Sequence, residues 1–118
     1  MRVWKLRNDW DVLRPGVYRQ MLSFDENIML MIVKIHPGAC VPKHSHSNLQ
    51  TGVVIKGKLL FRTDRGEMEI SEGWSYYIEP NENHEVYNTT DREAVALDIF
   101  MPKRDDYTPY TRPPDVSL

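Results

Sequence analysis

The sequence predicts an all-β domain, a sandwich or barrel of short strands, on three observations. Eight prolines and six glycines punctuate short segments rich in Val, Ile, Leu, Met, Tyr and Phe. No stretch sustains a 3.6-residue apolar period beyond a turn or two, which a helical core would need. Corners of Gly, Pro and Asn recur at short, regular spacing, as antiparallel connections require.

The elements follow in chain order. Asp9 to Leu13 is predicted as a short helix that Pro15-Gly16 ends. Val17 to Ser23 reads as the first strand, and Asp25-Glu26-Asn27 as a turn. Ile28 to His36 is a long apolar strand broken by Pro37-Gly38. Val41 to His46, Gln50 to Ile55 and Lys58 to Thr63 come next, with Gly57 as a tight corner. Asp64-Arg65-Gly66 is a hairpin turn into Glu67 to Ser71, where Met68 and Ile70 share one face and Glu67 and Glu69 the other. Trp74 to Glu79 and His84 to Asn88 flank the turn Pro80-Asn81-Glu82-Asn83. Glu93 to Met101 is the last strand.

A chain of 118 residues fits one domain over 1–118, with a core over about 15–107 and an extended tail over 108–118. Pro109, Pro113 and Pro114 argue against the tail joining the core. With 15 Lys+Arg against 17 Asp+Glu, the net charge of -2 gives no electrostatic footprint for nucleic acid or an anionic membrane. The longest wholly apolar run, Ile28 to Val33, is too short to span a bilayer. The first residues lack the apolar core of a secretory signal, and the lone Cys40 excludes an internal disulfide framework. Both features predict a cytoplasmic protein.

Three of the four histidines share one spacing pattern. In Lys43-His44-Ser45-His46, residues i and i+2 of a strand project from one face, so both imidazoles can aim at one ion. Neutral imidazoles suit a divalent transition metal such as nickel, zinc, iron or manganese. Gln50 follows four residues later and His84 stands after a second turn. Spacing alone also allows Gln50 to cap a turn and the histidines to be satisfied without a metal. His36 stands outside the pattern and reads as structural, and Cys40 as a small apolar group.

The full pattern is Gly38-x5-His44-x-His46-x3-Gln50-x6-Gly57, then Gly73-x6-Pro80-x3-His84-x3-Asn88. It resembles the two sequence motifs of the cupin superfamily. That resemblance implies a double-stranded β-helix, a small jelly-roll barrel, with one metal in the lumen. Carried over, the ligands are His44, His46, Gln50 and His84. Most cupins have Glu where this chain has Gln50. A neutral amide leaves the ion its full +2 charge, a stronger Lewis acid and a tighter magnet for a carboxylate. It also withdraws the anionic ligand that stabilises oxidised iron, which disfavours oxygen chemistry.

The last strand carries a second constellation. Alternation puts Ala94, Ala96, Asp98 and Phe100 on one face and Val95, Leu97, Ile99 and Met101 on the other. The large apolar face needs cover from other elements or a second chain, which, with Trp4, Trp10 and Trp74, predicts a homodimer. Asp98 in a pocket would be a general acid/base; the alternative is a structural hydrogen bond at a strand end. Arg104 suits bidentate recognition of a carboxylate, although spacing alone favours a pair with Asp105 or Asp106.

Asp98-x-Phe100-x-Pro102-x-Arg104-x-Asp106-Tyr107 is similar to the end of KdgF-type cupins, the pectin-degradation proteins. The similarity takes in Pro15-Gly16-Val17-Tyr18-Arg19-Gln20, the His-Ser-His motif and Gln50, since Gln replaces Glu in that family too. One departure is Pro80-Asn81-Glu82-Asn83, where Glu82 would add charge at the pocket rim. The resemblance implies an enzyme that opens 4,5-unsaturated monouronates, with Asp98 and Arg104 catalytic, Phe100 and Arg104 on the substrate, and a small anionic sugar as partner. The rival expectations are an iron dioxygenase or a lyase acting on a small carboxylate, and a non-catalytic sugar- or acid-binding module. A sensor of that last kind would need an attached DNA-binding domain for which 118 residues leave no room.

Overall fold

A computed structural model describes residues 1–118. Its strands are β1 (Arg2–Val3), β2 (Asp11–Arg14), β3 (Val17–Phe24), β4 (Met29–Ile35), β5 (Cys40–His44) and β6 (Leu49–Lys56). They continue with β7 (Lys58–Thr63), β8 (Gly66–Ser71), β9 (Ser75–Ile78), β10 (His84–Tyr87), β11 (Ala94–Met101) and β12 (Val116–Ser117). A 3-10 helix, Asp105–Tyr110, precedes β12. A six-stranded sheet ordered β2-β3-β4-β11-β6-β9 packs on a four-stranded sheet ordered β5-β10-β7-β8, and β1 pairs with β12 in a small ribbon. The architecture is the jelly-roll barrel that the resemblance implied.

Two expectations need correction. Asp11–Arg14 is strand, not helix: it pairs antiparallel with β3, Asp11 opposite Arg19 and Val12 opposite Tyr18. The segment has no 3.6-residue stripe to bury, and the outer edge of β3 offers unpaired backbone groups that a strand satisfies. The tail also differs from a simple extended end. After its 3-10 turn it runs back to the N-terminus, where Trp4 Nε1 donates to the Arg112 carbonyl at 2.8 Å. Arg7 pairs there with Asp115 at 3.0 Å.

Register arranges the interior in rows, because residues opposite one another in a ladder face the same side. Val17, Ile35 and Ala94 form the deepest row. Above it lie Arg19, Val33, Ala96 and Val54. The next row is Met21, Met31, Asp98, Gly52 and Tyr76. The last is Met29, Phe100, Gln50 and Ile78. Leu59 and Ile70 close the bottom from the opposite sheet, both buried. The barrel is thus plugged by apolar side chains at one end and turns polar toward the other.

Asn88 locks β4 and the β5 approach to the start of β11. Its Nδ2 donates to the Ile35 and Arg92 carbonyls at 2.8 and 2.7 Å. Its Oδ1 accepts from the Thr90 backbone N–H and hydroxyl. At the β6–β7 corner Gly57 has φ +77°, and a Cβ there would meet the Glu93 carbonyl at 2.9 Å, so only glycine serves. Asn88→Ala should cost about 2–3 kcal/mol, because it strands buried backbone carbonyls. Urea unfolding measures this, and a loss below roughly 0.5 kcal/mol, the low end for a hydrogen bond, would contradict the assignment.

Candidate active site and metal centre

The three motif histidines converge although they come from different local structures. His44 ends β5 and pairs with His84 at the start of β10. His46 lies beyond the strand end, in the turn before β6, so the shared-strand-face expectation holds for only one of the pair. Ring centroids are 4.2 Å apart for His44 and His84, 5.0 Å for His46 and His84, and 5.7 Å for His44 and His46. Their potential ligand nitrogens all lie within 4.8 Å of one another.

Each imidazole is oriented by its own backbone. Nδ1 of His44 faces the Pro42 carbonyl at 2.9 Å, that of His46 the Asn48 carbonyl at 3.0 Å, and that of His84 the Glu82 carbonyl at 2.8 Å. A carbonyl only accepts, so Nδ1 carries the proton and each Nε2 presents a lone pair to the centre. His84 Nε2 is buried with no hydrogen-bond partner. Burial holds His84 down at about 4 and, together with Arg104, lowers His46, so both rings are neutral near pH 7.

Gln50 sharpens the case for a cation. Its side chain lies beside Asp98 and helps to lower that carboxyl, while its Oε1 lies 3.0 Å from His46 Nε2. With Nδ1 facing the Asn48 carbonyl, Nε2 and Oε1 meet as two acceptors, an arrangement that one cation bound to both would relieve. Three imidazole nitrogens and an amide oxygen therefore fit one divalent transition metal. His44, His46 and His84 could hold it, with Gln50 as a fourth ligand.

Asp98 is buried at 4% exposure in the row beneath this centre. Tyr76 donates its hydroxyl to Asp98 Oδ1 at 2.6 Å. Burial pushes the carboxyl up to about 6, against the lowering effect of the Tyr76 hydrogen bond and of Gln50. Burial and the Asp98 charge likewise raise the Tyr76 phenol. Gly52 makes the pair possible: a Cβ there would come within 2.6 Å of the carboxylate, the phenol and the Leu97 carbonyl. Neither Tyr76 nor Gly52 stands out in sequence; only the register of β6 between β9 and β11 identifies them.

Phe100 and Arg104 line the same cavity. Phe100 is fully buried, edge-on to His46 at 5.7 Å and to Tyr107 at 5.7 Å. Arg104 is also buried, and its guanidinium lies 4.0 Å from the Tyr107 ring centre. Its Nε and Nη2 donate to Asp106 at 3.0 and 2.7 Å. Arg104 thus faces the pocket and also makes the neighbouring ion pair that spacing favoured. Asn48, unremarked in sequence, donates to the Pro102 and Lys103 carbonyls and so ties the Arg104 segment to His46. Arg19 is a second buried cation on this cavity.

Residues outside the centre have local roles. His36 stacks on Tyr18 and faces Glu93 at 3.4 Å. Glu82 accepts from the Glu79 N–H at 3.1 Å, which shapes the turn that aims His84. Cys40 is half-buried. No helix is long and apolar enough to cross a membrane.

The cupin domain family matches residues 31–100. The chain is 26% identical over 99 residues to the pectin degradation protein KdgF of Dickeya dadantii (strain 3937), covering 83% of this chain and 89% of that protein. It is 32% identical over 106 residues to the H2HPP isomerase of Bacillus subtilis. That match covers 88% of this chain but 42% of the relative, so the chain spans less than half of that protein's length. Among solved structures, KdgF from Halomonas sp. superposes with a TM-score of 0.78 at 25% identity, over 84% of this chain and 90% of that one. An RmlC-like cupin from Shewanella frigidimarina NCIMB 400 gives 0.81 at 22% identity, over 89% and 95%, which shows the fold alone.

The Asp98 environment has a measurable pH signature. Its carboxyl sits at about 6 against an ordinary 3.8, so the folded state binds this proton more tightly than the unfolded chain does. The stability it contributes is complete below 3.8 and is lost as pH rises through about 6. Metal-free Asp98→Asn should therefore exceed metal-free wild type in stability above pH 6, by at most about 3 kcal/mol, and the gap should close toward pH 4. His84 slopes the other way in both proteins and cancels in the difference. Denaturant midpoints from pH 4 to 8 provide the readout; a gap that does not change with pH would contradict the burial.

Proposed function

The chain belongs to the cupin domain family, and from that premise we propose that it is a metal-dependent enzyme that opens 4,5-unsaturated monouronates. The product is the linear keto form of the 4-deoxy uronate. The observation that carries this reading is Asp98: a buried carboxylate held by the Tyr76 hydroxyl in the row next to the candidate ligand Gln50, in a cavity whose other charged groups, Arg19 and Arg104, are cations. Similarity to proteins named for pectin degradation supports the substrate class.

The reaction is an isomerisation that needs one mobile proton. The hydroxyl on C1 loses its proton, the C1–O5 bond breaks as the C1 carbonyl forms, and the enol oxygen becomes the C5 ketone as C4 is protonated. No atom is gained or lost. Asp98 is ionised above pH 6 and accepts the hydroxyl proton, then delivers it to C4. Tyr76 holds the carboxylate in one orientation through its 2.6 Å bond. Phe100 forms the wall against the sugar ring, and Arg104 offers the substrate the donor that Asp106 leaves free. A bound divalent ion supplies Lewis-acid polarisation of the substrate's oxygens and draws its negative charge into the site.

The enol-ether chromophore makes the test direct. Metal-loaded protein should abolish the ultraviolet absorbance of the cyclic unsaturated galacturonate, mannuronate or guluronate derivative; binding without that loss would reduce the protein to a binding module. Asp98→Asn should lower kcat by roughly 10²–10⁴-fold with metal retained. Arg104→Lys should act mainly on KM. His84→Ala should lose the metal, measured by elemental analysis, together with the activity. Oxygen uptake by iron-loaded protein would favour the dioxygenase instead.

A further inference from the structure

We propose that Arg19, rather than Arg104, is the principal receptor for the substrate's carboxylate; this rests on the uronate reading above and assigns the recognition of its charge. Arg19 is 3% exposed, and its Nε and Nη1 are buried without a hydrogen-bond partner. Its guanidinium lies 4.3 Å from the Tyr107 ring centre and 4.5 Å from that of Tyr110. It lines the cavity that holds His44, His84, Asp98 and Arg104. Val33 and Ala96, its neighbours in the same row across the sheet, are apolar and offer it no hydrogen-bonding side chain.

The two arginines differ in what already occupies them. Asp106 takes two donors of Arg104 in a bidentate pair. Arg19 has the aromatic rings for packing and feels the Asp106 charge from a distance, but no carboxylate reaches ion-pair or hydrogen-bond range of it. A buried cation left unpaired is costly, and a methionine or leucine would fill the same volume without that cost. The arrangement makes sense if the counter-charge arrives with the ligand. A flat two-oxygen anion matches a guanidinium held flat by aromatic stacking. Burial strengthens the attraction, since little solvent screens it.

The test compares metal-loaded wild type, Arg19→Gln, Arg19→Met and Arg104→Gln. Calorimetry measures binding of galacturonate and its methyl ester, and the absorbance assay measures turnover of the unsaturated uronates. Wild type should bind the acid on the order of 10–100-fold more tightly than the ester. Both Arg19 variants should lose that preference, and KM should rise on the same order, while Arg104→Gln keeps most of the preference. Arg19→Met should be folded with a Tm no lower than wild type, because it removes an unpaired charge; should it fail to fold, Arg19→Gln carries the comparison. Equal binding of acid and ester by wild type would overturn the inference, as would an acid preference that survives in the Arg19 variants. Arg19-dependent preference without any turnover would instead overturn the ring-opening reading and leave this one standing.

Discussion

The site depends on the ladder that β11 makes with β4 on one side and β6 on the other. Antiparallel register puts Phe100 opposite Gln50 and Asp98 opposite Gly52, so a candidate metal ligand and the buried carboxylate lie in adjacent rows of one sheet. A one-residue slip of β11 would turn Asp98 and Phe100 out of the barrel and bring Leu97 and Ile99 in. Register is protected by the apolar rows below, where Val17, Ile35 and Val54 are wholly buried. The apolar plug at one end of the barrel is thus what makes polar chemistry possible at the other.

That polar end is held together by charges that burial alone would expel. Asp98 keeps a hydrogen-bonded phenol, and still has its carboxyl pushed up to about 6. His84 is held at about 4 and keeps an unpartnered nitrogen. Arg104 has Asp106, and Arg19 has only aromatic rings. Each arrangement is easier to understand once a divalent ion and an anionic ligand are counted with the protein. The costs of burial are offset by what binds, the usual way in which a stable scaffold carries a strained site.

Much of this was legible along the chain, and the reasons are local. Nine of the strands were placed to within a residue or two because Gly, Pro and Asn corners stop ladders and β-branched segments fill them. The helix expected at Asp9–Leu13 failed because an edge strand's stability resides in its neighbour, β3, and leaves little trace in its own residues. The tail's return to the N-terminus was invisible for the same reason: the bonds of Trp4 to Arg112 and Arg7 to Asp115 join positions about a hundred residues apart.

Composition and spacing by themselves determined the all-β class and set His44, His46, Gln50 and His84 in one pattern; the resemblance to KdgF-type cupins added Asp98 and Arg104 to that site. Those readings rest on periodicity and motif, which are properties of neighbouring residues. Only the tertiary structure decided which charges are paired. It chose Asp106 over Asp105 for Arg104, left Arg19 without an ion-pair partner, set Tyr76 on Asp98 and reserved the space at Gly52 for that bond. Pairing depends on which rows face one another across the barrel, and that is fixed by strand order and register, which no local pattern encodes.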